Sequence, residues 1–262
     1  GCGTVVSSTD ARFKAGDGVI ATSYDIGVAH DGGYAGYMRL PADWVVPMPN
    51  GMTAFEAMAL GTAGYTAGLA VERMEHDGLR PGNGPVLVNG ATGGVGSIAI
   101  DILAGAGYEV VALTGKESEA GYLKGLGARE VVLRSSLDLS RIKPLDKATW
   151  AGAVDNLGGD ALAWLASTMQ VGGTLASVGL AASHTLSTTV MPFILRGVSL
   201  LGIDSVNTPM DLRRKVWERL ASDLKPRHLD AMTRTVTLEA LPPVFDALMA
   251  AQAKGRTVVS ID

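Results

Sequence analysis

The sequence predicts an α/β protein in which a doubly wound parallel sheet is joined to a smaller β-rich unit. Three observations support this fold class. Short apolar runs alternate with helical patterns between residues 86 and 204, a glycine-rich turn joins the first run to the first helix, and the amino-terminal flank carries short strands separated by turn signals. Strands and helices that alternate at this spacing are typical of a parallel sheet with helices on both faces.

The first strand and helix of the series are marked by a change of hydrophobic period. "VLVN" (86–89) is a short apolar run of the kind that forms a buried parallel strand. Beyond the glycines, apolar residues recur at the helical period at Val95, Ile98, Ala99, Ile102 and Leu103. Asp101 falls on the opposite face, so this helix is expected to pack one apolar stripe on the sheet.

The alternation continues along the chain. Strand "EVVAL" (109–113) precedes a helix that carries Tyr122, Leu123 and Leu126, and strand "EVVLR" (130–134) follows. "GAVDNL" (152–157) then leads to a helix with Asp160 as its expected N-cap. The series closes with "GTLASVGL" (173–180) and "VSLLGID" (198–204).

The two flanks have a different pattern. Residues 1–50 predict short strands in "KAGDGVIATS", "HDGGYAGYMRL" and "DWVVPMP". Residues 211–262 predict a helix, the segment "TVTLEALPPVFDALMAA" and a last strand in "RTVVSID". Because the chain starts with "GCGTVV", inside a predicted strand and without an initiator Met, we expect a further segment upstream.

Composition limits the classes of function. The chain has 22 Lys and Arg against 26 Asp and Glu, a formal charge of −4, so it offers no cationic excess for a nucleic-acid backbone. Apolar windows break before the roughly 18 residues that span a bilayer, and we expect a soluble, cytoplasmic protein. The single cysteine excludes an internal disulfide, and we expect no metal site because the soft ligands are scattered: Cys2, His30, His76, His184 and His228.

The glycine-rich turn "VNGATGGVG" (88–96) carries the main functional signal. It stands between a predicted strand and a predicted helix, where bare backbone lets a pyrophosphate approach the N–H groups at the positive helix end. In the dinucleotide fingerprint, Ala91, Gly93 and Gly96 take the three glycine positions. Tight packing alone also produces such turns, but the complete βα context predicts a Rossmann dinucleotide site.

The end of the second strand predicts which dinucleotide binds. An acidic residue about 20 positions beyond the glycines would hold a free ribose 2′-hydroxyl. Thr114, Gly115 and Lys116 stand there instead, and Arg134 ends the neighbouring strand. A hydroxyl, an N–H and two cations suit a 2′-phosphate, so we predict NADP. Two alternatives stay open: both cations are solvated loop charges, or Glu117 reaches the hydroxyl of NAD.

These segments resemble a known family. "GTAGYTA", "VNGATGGVGS", "LTGKES", "YLKGLGA", "WAGAVDNLGG", "TTVMPFILRGVSLLGIDSV" and "QAKGRTVVSID" are similar to zinc-independent medium-chain dehydrogenases/reductases, most closely the acrylyl-CoA reductase (YhdH/AcuI-like) branch of the quinone oxidoreductases. The resemblance covers nearly the whole chain. "TTVMPFILR" and the tryptophan before "AGAVD" are specific to this branch, whereas "GATGGVG" is generic.

The resemblance implies a set of cofactor contacts. The pyrophosphate would meet Thr92, Gly93, Gly94 and Val95, and the 2′-phosphate would meet Thr114, Gly115, Lys116 and Arg134. Leu180, Ile194, Ser205 and Gln252 match positions around the nicotinamide. Periodicity alone would make Leu180 and Ile194 ordinary core residues, and Ser205 and Gln252 fit surface positions equally well.

The resemblance also implies an activity. An enzyme of this branch transfers hydride from NADPH to the β-carbon of a small α,β-unsaturated acyl-CoA such as acryloyl-CoA, without a metal. A quinone or enone oxidoreductase, and a non-catalytic NADP-binding protein, remain alternatives. We assign no catalytic side chain, because family members carry a pocket tyrosine in a segment upstream of this chain, and Tyr24 and Tyr65 fit packing roles better.

Domain organisation and assembly follow from the same resemblance. It implies an incomplete GroES-like substrate domain at residues 1–61 and 206–262, and a Rossmann domain at 62–205. An apolar strand at 198–203 is expected at the edge of the nucleotide sheet. Relatives form homodimers through this strand, and we expect the same here.

Overall fold

The computed structural model describes residues 1–261. Its first part holds strands β1 (Cys2–Thr4), β2 (Gly18–Ala21) and β3 (Val45–Pro47), followed by helix α1 (Ala54–His76). The three strands form one antiparallel sheet in the order β1-β2-β3. The amino-terminal flank is therefore β-rich, as the turn signals predict.

The central part alternates strands and helices. Its elements are β4 (Val86–Val88), α2 (Gly94–Gly105), β5 (Val110–Thr114), α3 (Ala120–Gly125), β6 (Glu130–Leu133), β7 (Trp150–Asp155), α4 (Gly159–Thr168), β8 (Met169–Ser177), α5 (Met191–Arg196) and β9 (Ser199–Gly202). The strands form a six-stranded sheet in the order β6-β5-β4-β7-β8-β9, and every pairing is parallel. This doubly wound order confirms the predicted fold class.

The last part returns to the first. It contains α6 (Met210–Ala221), α7 (Leu229–Met232), β10 (Thr233–Thr237), α8 (Pro242–Met249) and β11 (Arg256–Ser260). Strands β10 and β11 pair in parallel as a separate two-stranded sheet. Helix α6 packs on α1, and β11 also lies against α1. Four short 3-10 turns complete the description at Ala42–Trp44, Glu117–Glu119, Arg134–Ser136 and Leu238–Ala240.

The six-stranded sheet buries both of its faces. Val86 and Val88 of β4 pack in the core that includes α1 and α2, whereas Leu87 between them packs with α4 on the other face. Alternate side chains of a strand point to opposite faces, so a continuous apolar run is what a sheet covered on both sides requires. Each fully buried side chain of this kind contributes about 1.5–3 kcal/mol.

Helix α1 joins the two halves of the structure. Thr53 caps it, because its hydroxyl oxygen accepts a hydrogen bond from the Glu56 N–H at 3.1 Å, and the Glu56 carboxylate accepts one from the Thr53 N–H at 2.7 Å. Gly61 interrupts the helix with φ +50° and ψ −151°, a conformation that favours glycine. The helix therefore changes direction within "GTAGYTA".

Two local predictions are wrong. The segment "HDGGYAGYMRL" forms no strand, since its three glycines weaken extended pairing and the rings of Tyr34 and Tyr37 stay exposed instead of facing a core. Asp160 is not the N-cap of α4. Gly158 occupies that position at φ +69°, and Asp160 lies in the first helical turn, where its charge complements the helix dipole.

None of the helices formed by residues 1–261 combines the length and apolar character needed to cross a membrane.

Candidate cofactor site

The carboxyl edge of the six-stranded sheet is where a site is expected. The strand order reverses between β4 and β7, which lie side by side although one long segment of chain separates them. Ligands of open parallel sheets bind in the crevice at such a reversal, beyond the carboxyl ends of the strands. The glycine-rich turn leaves β4 at this point and leads directly into α2.

The turn presents backbone rather than side chains. Gly93 is the N-cap of α2 in an extended conformation, and no side chain caps the helix. The first N–H groups of a helix have no partner within the helix, so this end of α2 offers donors to an anion. A Cβ on Gly96 would lie 2.4 Å from the Gly90 carbonyl oxygen, whereas a Cβ on Gly93 would only approach that oxygen to 3.3 Å. Gly96 thus allows close packing of the helix on the turn, and Gly93 leaves room in front of it.

A buried polar pair, which hydrophobic periodicity does not reveal, lies where β4 and β7 end side by side. The Asn89 side-chain amide donates a hydrogen bond to the Asp155 carboxylate, and Asp155 also accepts one from the Gly158 N–H at 2.9 Å. Burial raises the pKa of Asp155, although these hydrogen bonds oppose the shift. The Asn156 N–H donates to Asn89 Oδ1 at 2.6 Å. These hydrogen bonds therefore hold the ends of β4 and β7 together. The sequence signal for this contact is that a polar residue ends each of the two apolar runs.

The predicted 2′-phosphate residues come together at the ends of β5 and β6. Thr114 is paired with Leu133 in the sheet, so Arg134 follows at the same level as Gly115. The Lys116 N–H donates to the Thr114 hydroxyl at 3.0 Å, and the Lys116 ammonium donates to the Ala253 carbonyl oxygen at 3.2 Å. A Cβ on Gly115 would meet nothing within 4 Å, which leaves open space beside these cations.

The four predicted nicotinamide residues are more dispersed. Leu180 lies beyond β8 and is 67% exposed. It lines a cavity of about 220 Å³ at the first turn of α4. Ile194 lies on α5 and is 71% exposed. Neither residue is core, contrary to what periodicity alone suggests. Ser205 follows β9, and its carbonyl oxygen accepts a hydrogen bond from Arg213 at 2.9 Å. Gln252 is exposed and stands next to Ala253, which brings it beside Lys116.

The two tyrosines considered as donors are packing residues in the structure. The guanidinium of Arg213 lies 4.7 Å from the ring centroid of Tyr24 and 4.6 Å from that of Tyr65. Tyr65 also stacks on Trp217, and burial raises the pKa of its hydroxyl. Tyr24 stacks on Trp44 at 5.4 Å. Because both rings pack against Arg213 and a tryptophan, we assign them packing roles and no catalytic role.

Among residues 1–261, no three His, Cys, Asp or Glu side chains come together as a set of metal ligands. The donors at the crevice are instead backbone N–H groups, hydroxyls and cations, which is the chemistry of an anion site.

Related proteins match nearly the whole chain. A family model described as zinc-binding dehydrogenase matches residues 94–222. Acrylyl-CoA reductase AcuI of Ruegeria pomeroyi is 49% identical over 260 residues, which cover 99% of this chain and 79% of AcuI. The sequence similarity therefore extends over most of the length of this relative.

Two solved structures are similarly close. The Bacillus subtilis protein yhfP, crystallised with NAD bound, is 52% identical with a TM-score of 0.97 over 99% of this chain and 79% of its own. The yhdH oxidoreductase of Salmonella enterica, in complex with NADP, is 44% identical with a TM-score of 0.96 over 100% of this chain and 80% of its own. The chain belongs to the medium-chain dehydrogenase/reductase family, in its zinc-independent branch similar to quinone oxidoreductases and AcuI.

Proposed function

We propose that this protein is an NADPH-dependent reductase that reduces the carbon–carbon double bond of a small α,β-unsaturated acyl-CoA such as acryloyl-CoA. The observation that carries the cofactor part is the uncapped, glycine-lined amino end of α2 beside the cationic ends of β5 and β6. The acyl-CoA part is supported by the identity with AcuI. NADP fits this donor set, because phosphates need backbone N–H groups and cations rather than carboxylates.

The bound cofactor would supply hydride, and the protein's own residues would orient and enclose it. Thr92, Gly93, Gly94 and Val95 would hold the pyrophosphate through backbone donors, while Lys116 and Arg134 would bind the 2′-phosphate. The balanced reaction consumes NADPH, a proton and the unsaturated thioester, and gives NADP⁺ and the saturated thioester. Hydride goes to the β-carbon and the proton to the α-carbon. Alignment and exclusion of water are the contributions expected from this crevice.

Leu180, Ile194, Ser205 and Gln252 complete the proposed site around the nicotinamide. The exposure of Leu180 and Ile194 supports this role, because apolar side chains that are not core remain available to cover a ring.

The proposal divides the chain into two domains, a substrate domain at residues 1–61 and 206–262 and a nucleotide domain at residues 62–205. A cytoplasmic location is part of the proposal, and a single free cysteine is in keeping with a reducing compartment.

Assembly as a homodimer through residues 198–203 belongs to the same proposal. Strand β9 ends the six-stranded sheet, and within the described residues it pairs with β8 alone. An edge of this kind presents unpaired N–H and C=O groups to a second chain.

A quinone oxidoreductase is the second candidate, because yhfP is named as one. Oxidation of NADPH by the purified protein, followed by absorbance with acryloyl-CoA or with a benzoquinone, separates the two. Faster turnover per enzyme with acryloyl-CoA, and a lower KM for NADPH than for NADH, would support the proposal. Preference for the quinone would favour the second candidate, and NADPH binding without turnover of either compound would indicate a binding protein. A preference for NADH would instead indicate that this protein uses NAD, the cofactor bound in the yhfP structure.

A further inference from the structure

A fully buried arginine lies against two tyrosine rings. Arg213, near the start of α6, is 0% exposed. Its guanidinium carbon lies 4.7 Å from the centroid of the Tyr24 ring and 4.6 Å from that of the Tyr65 ring. Tyr24 stacks in turn on Trp44, and Tyr65 stacks on Trp217. These five side chains form one connected cluster, which joins the loop after β2 to α1 and α6.

The hydrogen bonds of Arg213 hold the segment that follows β9. Its Nη2 atom donates to the Ser205 carbonyl oxygen at 2.9 Å and to the Val206 carbonyl oxygen at 3.0 Å. The segment also closes on itself, because the Asp204 carboxylate accepts hydrogen bonds from the N–H groups of Val206 at 2.8 Å and Asn207 at 3.0 Å. The local turn thus sets the shape of the segment, and Arg213 sets its place relative to α6.

The same guanidinium holds a strained segment on the other side. Ser23 and Tyr24 have φ values of +72° and +52°, a region that residues with a side chain rarely adopt. Such conformations persist where surrounding contacts hold them, and they are common at functional sites. The contacts of Tyr24 are its stack on Trp44 and the guanidinium of Arg213. Arg213 therefore fixes two segments at once, the loop after β2 and the segment after β9.

The environment of Arg213 favours a role in position over one in stability. Within residues 1–261, its Nε and Nη1 atoms have no hydrogen-bond partner, and both Nη2 bonds go to carbonyl oxygens rather than to a carboxylate. Burial of a cation with unpartnered donors is unfavourable, and an apolar side chain of similar volume is often neutral or stabilising in its place. Stability alone therefore does not explain an arginine here, whereas its reach to two successive carbonyl groups does.

We propose that Arg213 is a positioning residue for the nicotinamide end of the cofactor site. It acts through the backbone of Ser205 and Val206. The inference rests on the proposed NADPH site, in which Ser205 lies beside the nicotinamide, and it adds the side chain that holds Ser205 in place. Displacement of this segment would loosen the nicotinamide but spare the phosphate contacts, because the proposed phosphate-binding residues lie between Thr92 and Arg134 on other elements.

The test compares the affinities of NADPH and 2′-phospho-ADP-ribose, which carries the same phosphate groups without the nicotinamide. In Arg213→Met, NADPH binding should weaken about tenfold, whereas 2′-phospho-ADP-ribose should bind as it does to the unmodified protein. Arg213→Lys keeps the charge without the planar fork, so it should show the same selective loss at a smaller size. The thermal unfolding midpoint of Arg213→Met should stay close to that of the unmodified protein.

Arg214→Met is the matched control. Arg214 is the next residue of α6, so its variant makes the same change of net charge in the same helix. The carbonyl oxygens of residues 205 and 206 accept their hydrogen bonds from Arg213, and both ligands should therefore bind Arg214→Met as they bind the unmodified protein.

Three results would overturn the inference. These are unchanged NADPH affinity in Arg213→Met, equal weakening of the two ligands, and the same selective loss in Arg214→Met. If Arg213→Met does not fold, Arg213→Lys decides by the same comparison, and failure of both variants to fold would leave Arg213 a structural role only.

The acyl-CoA reductase proposal has a separate readout. Selective loss of NADPH affinity in Arg213→Met, in a protein that does not reduce acryloyl-CoA, would retain this inference and reject that function. Failure of the unmodified protein to bind either ligand would reject both.

Discussion

The Lys116 ammonium donates a hydrogen bond to the carbonyl oxygen of Ala253, 3.2 Å away. This contact joins the end of β5 to the segment that follows α8. Lys254, the next residue, forms an ion pair with Glu119 at 2.9 Å. The carboxyl-terminal segment therefore lies against the end of β5, and Lys254 neutralises an acidic side chain near the predicted 2′-phosphate residues.

The first prediction concerns cofactor choice. Lys116→Glu should lower the ratio of NADPH affinity to NADH affinity by about tenfold or more, because a carboxylate repels a 2′-phosphate and accepts a hydrogen bond from a 2′-hydroxyl. Lys124→Glu, an exposed residue of α3, makes the same charge change as a control. Titrations of both cofactors measure the ratio. Equal dissociation constants for NADPH and NADH in the unmodified protein would contradict the prediction of NADP.

The second prediction separates two glycines of the same turn. Gly96→Ala should destabilise the fold, because its Cβ would lie 2.4 Å from the Gly90 carbonyl oxygen and 2.9 Å from the Ala91 Cα. Gly93→Ala meets only the Gly90 oxygen at 3.3 Å, so it should keep most of the stability yet weaken NADPH binding by about tenfold through loss of close backbone approach. Thermal melts and NADPH titrations distinguish them. A Gly93→Ala protein with unaltered affinity would show that the phosphates do not approach this residue.

The third prediction concerns acid stability of the contact between α1 and α6. Arg219 pairs with Glu72 at 2.8 Å, with Glu75 at 2.6 Å and with Asp223. Burial raises the pKa of Glu72 and of Asp223, but their hydrogen bonds with the cations outweigh it and both pKa values are lowered. Stability from a lowered pKa is present above the ordinary range near pH 4 and is lost as pH falls through the folded-state pKa.

Arg219→Met should therefore lower the free energy of unfolding by about 1–3 kcal/mol at neutral pH, with a smaller difference below about pH 4. Arg129→Met is the control, because Arg129 pairs with Glu109 while 69% of its side chain is exposed. An exposed pair of that kind contributes about 0–1 kcal/mol. Urea unfolding at both pH values measures the differences. A constant difference from neutral to acid pH would show that the loss comes from packing rather than from charge.

Local patterns in the sequence predict the nucleotide half of the fold well. An apolar run, a glycine-rich turn and a helical period identify β4 and α2, because each feature is set by neighbouring residues. Boundaries shift by a residue: β5 spans 110–114 rather than 109–113, and Arg134 opens a 3-10 turn instead of ending β6. The sequence also shows why residues 114–116 and 134 meet, since adjacent parallel strands end at one edge.

Contacts that depend on tertiary structure were beyond such patterns. Asn89 and Asp155 meet only because β4 pairs with β7, a pairing that hydrophobic period does not specify. In the sequence, Arg256 is a basic residue at the start of a strand. Only the fold shows that its guanidinium lies beside Gly61 and Gly94. Gly158 rather than Asp160 caps α4, at a position where both the positive φ and the nearby carbonyl oxygen of Ser183 favour a residue without a Cβ. The exposure of Leu180 and Ile194 likewise depends on which surfaces neighbouring elements cover.

The fourth prediction concerns assembly through β9. Its free edge and the side chain of Leu200, which is 37% exposed, would be covered if two copies paired around a twofold axis to form one continuous sheet. Val190 and Leu195 in the preceding segment are 65% and 59% exposed and would extend the apolar interface. We therefore expect a homodimer in solution.

Leu200→Lys should convert this homodimer to monomer, because a charge at the paired edge would be buried against its symmetry-related copy. Val171→Lys provides the matched control. Val171 is 80% exposed on β8, so this substitution introduces the same charge away from the β9 edge. Light scattering after size exclusion, at concentrations on the order of tens of micromolar, measures the mass of each variant. A dimeric Leu200→Lys protein would place the interface on another surface, and a monomeric unmodified protein would contradict the dimer itself.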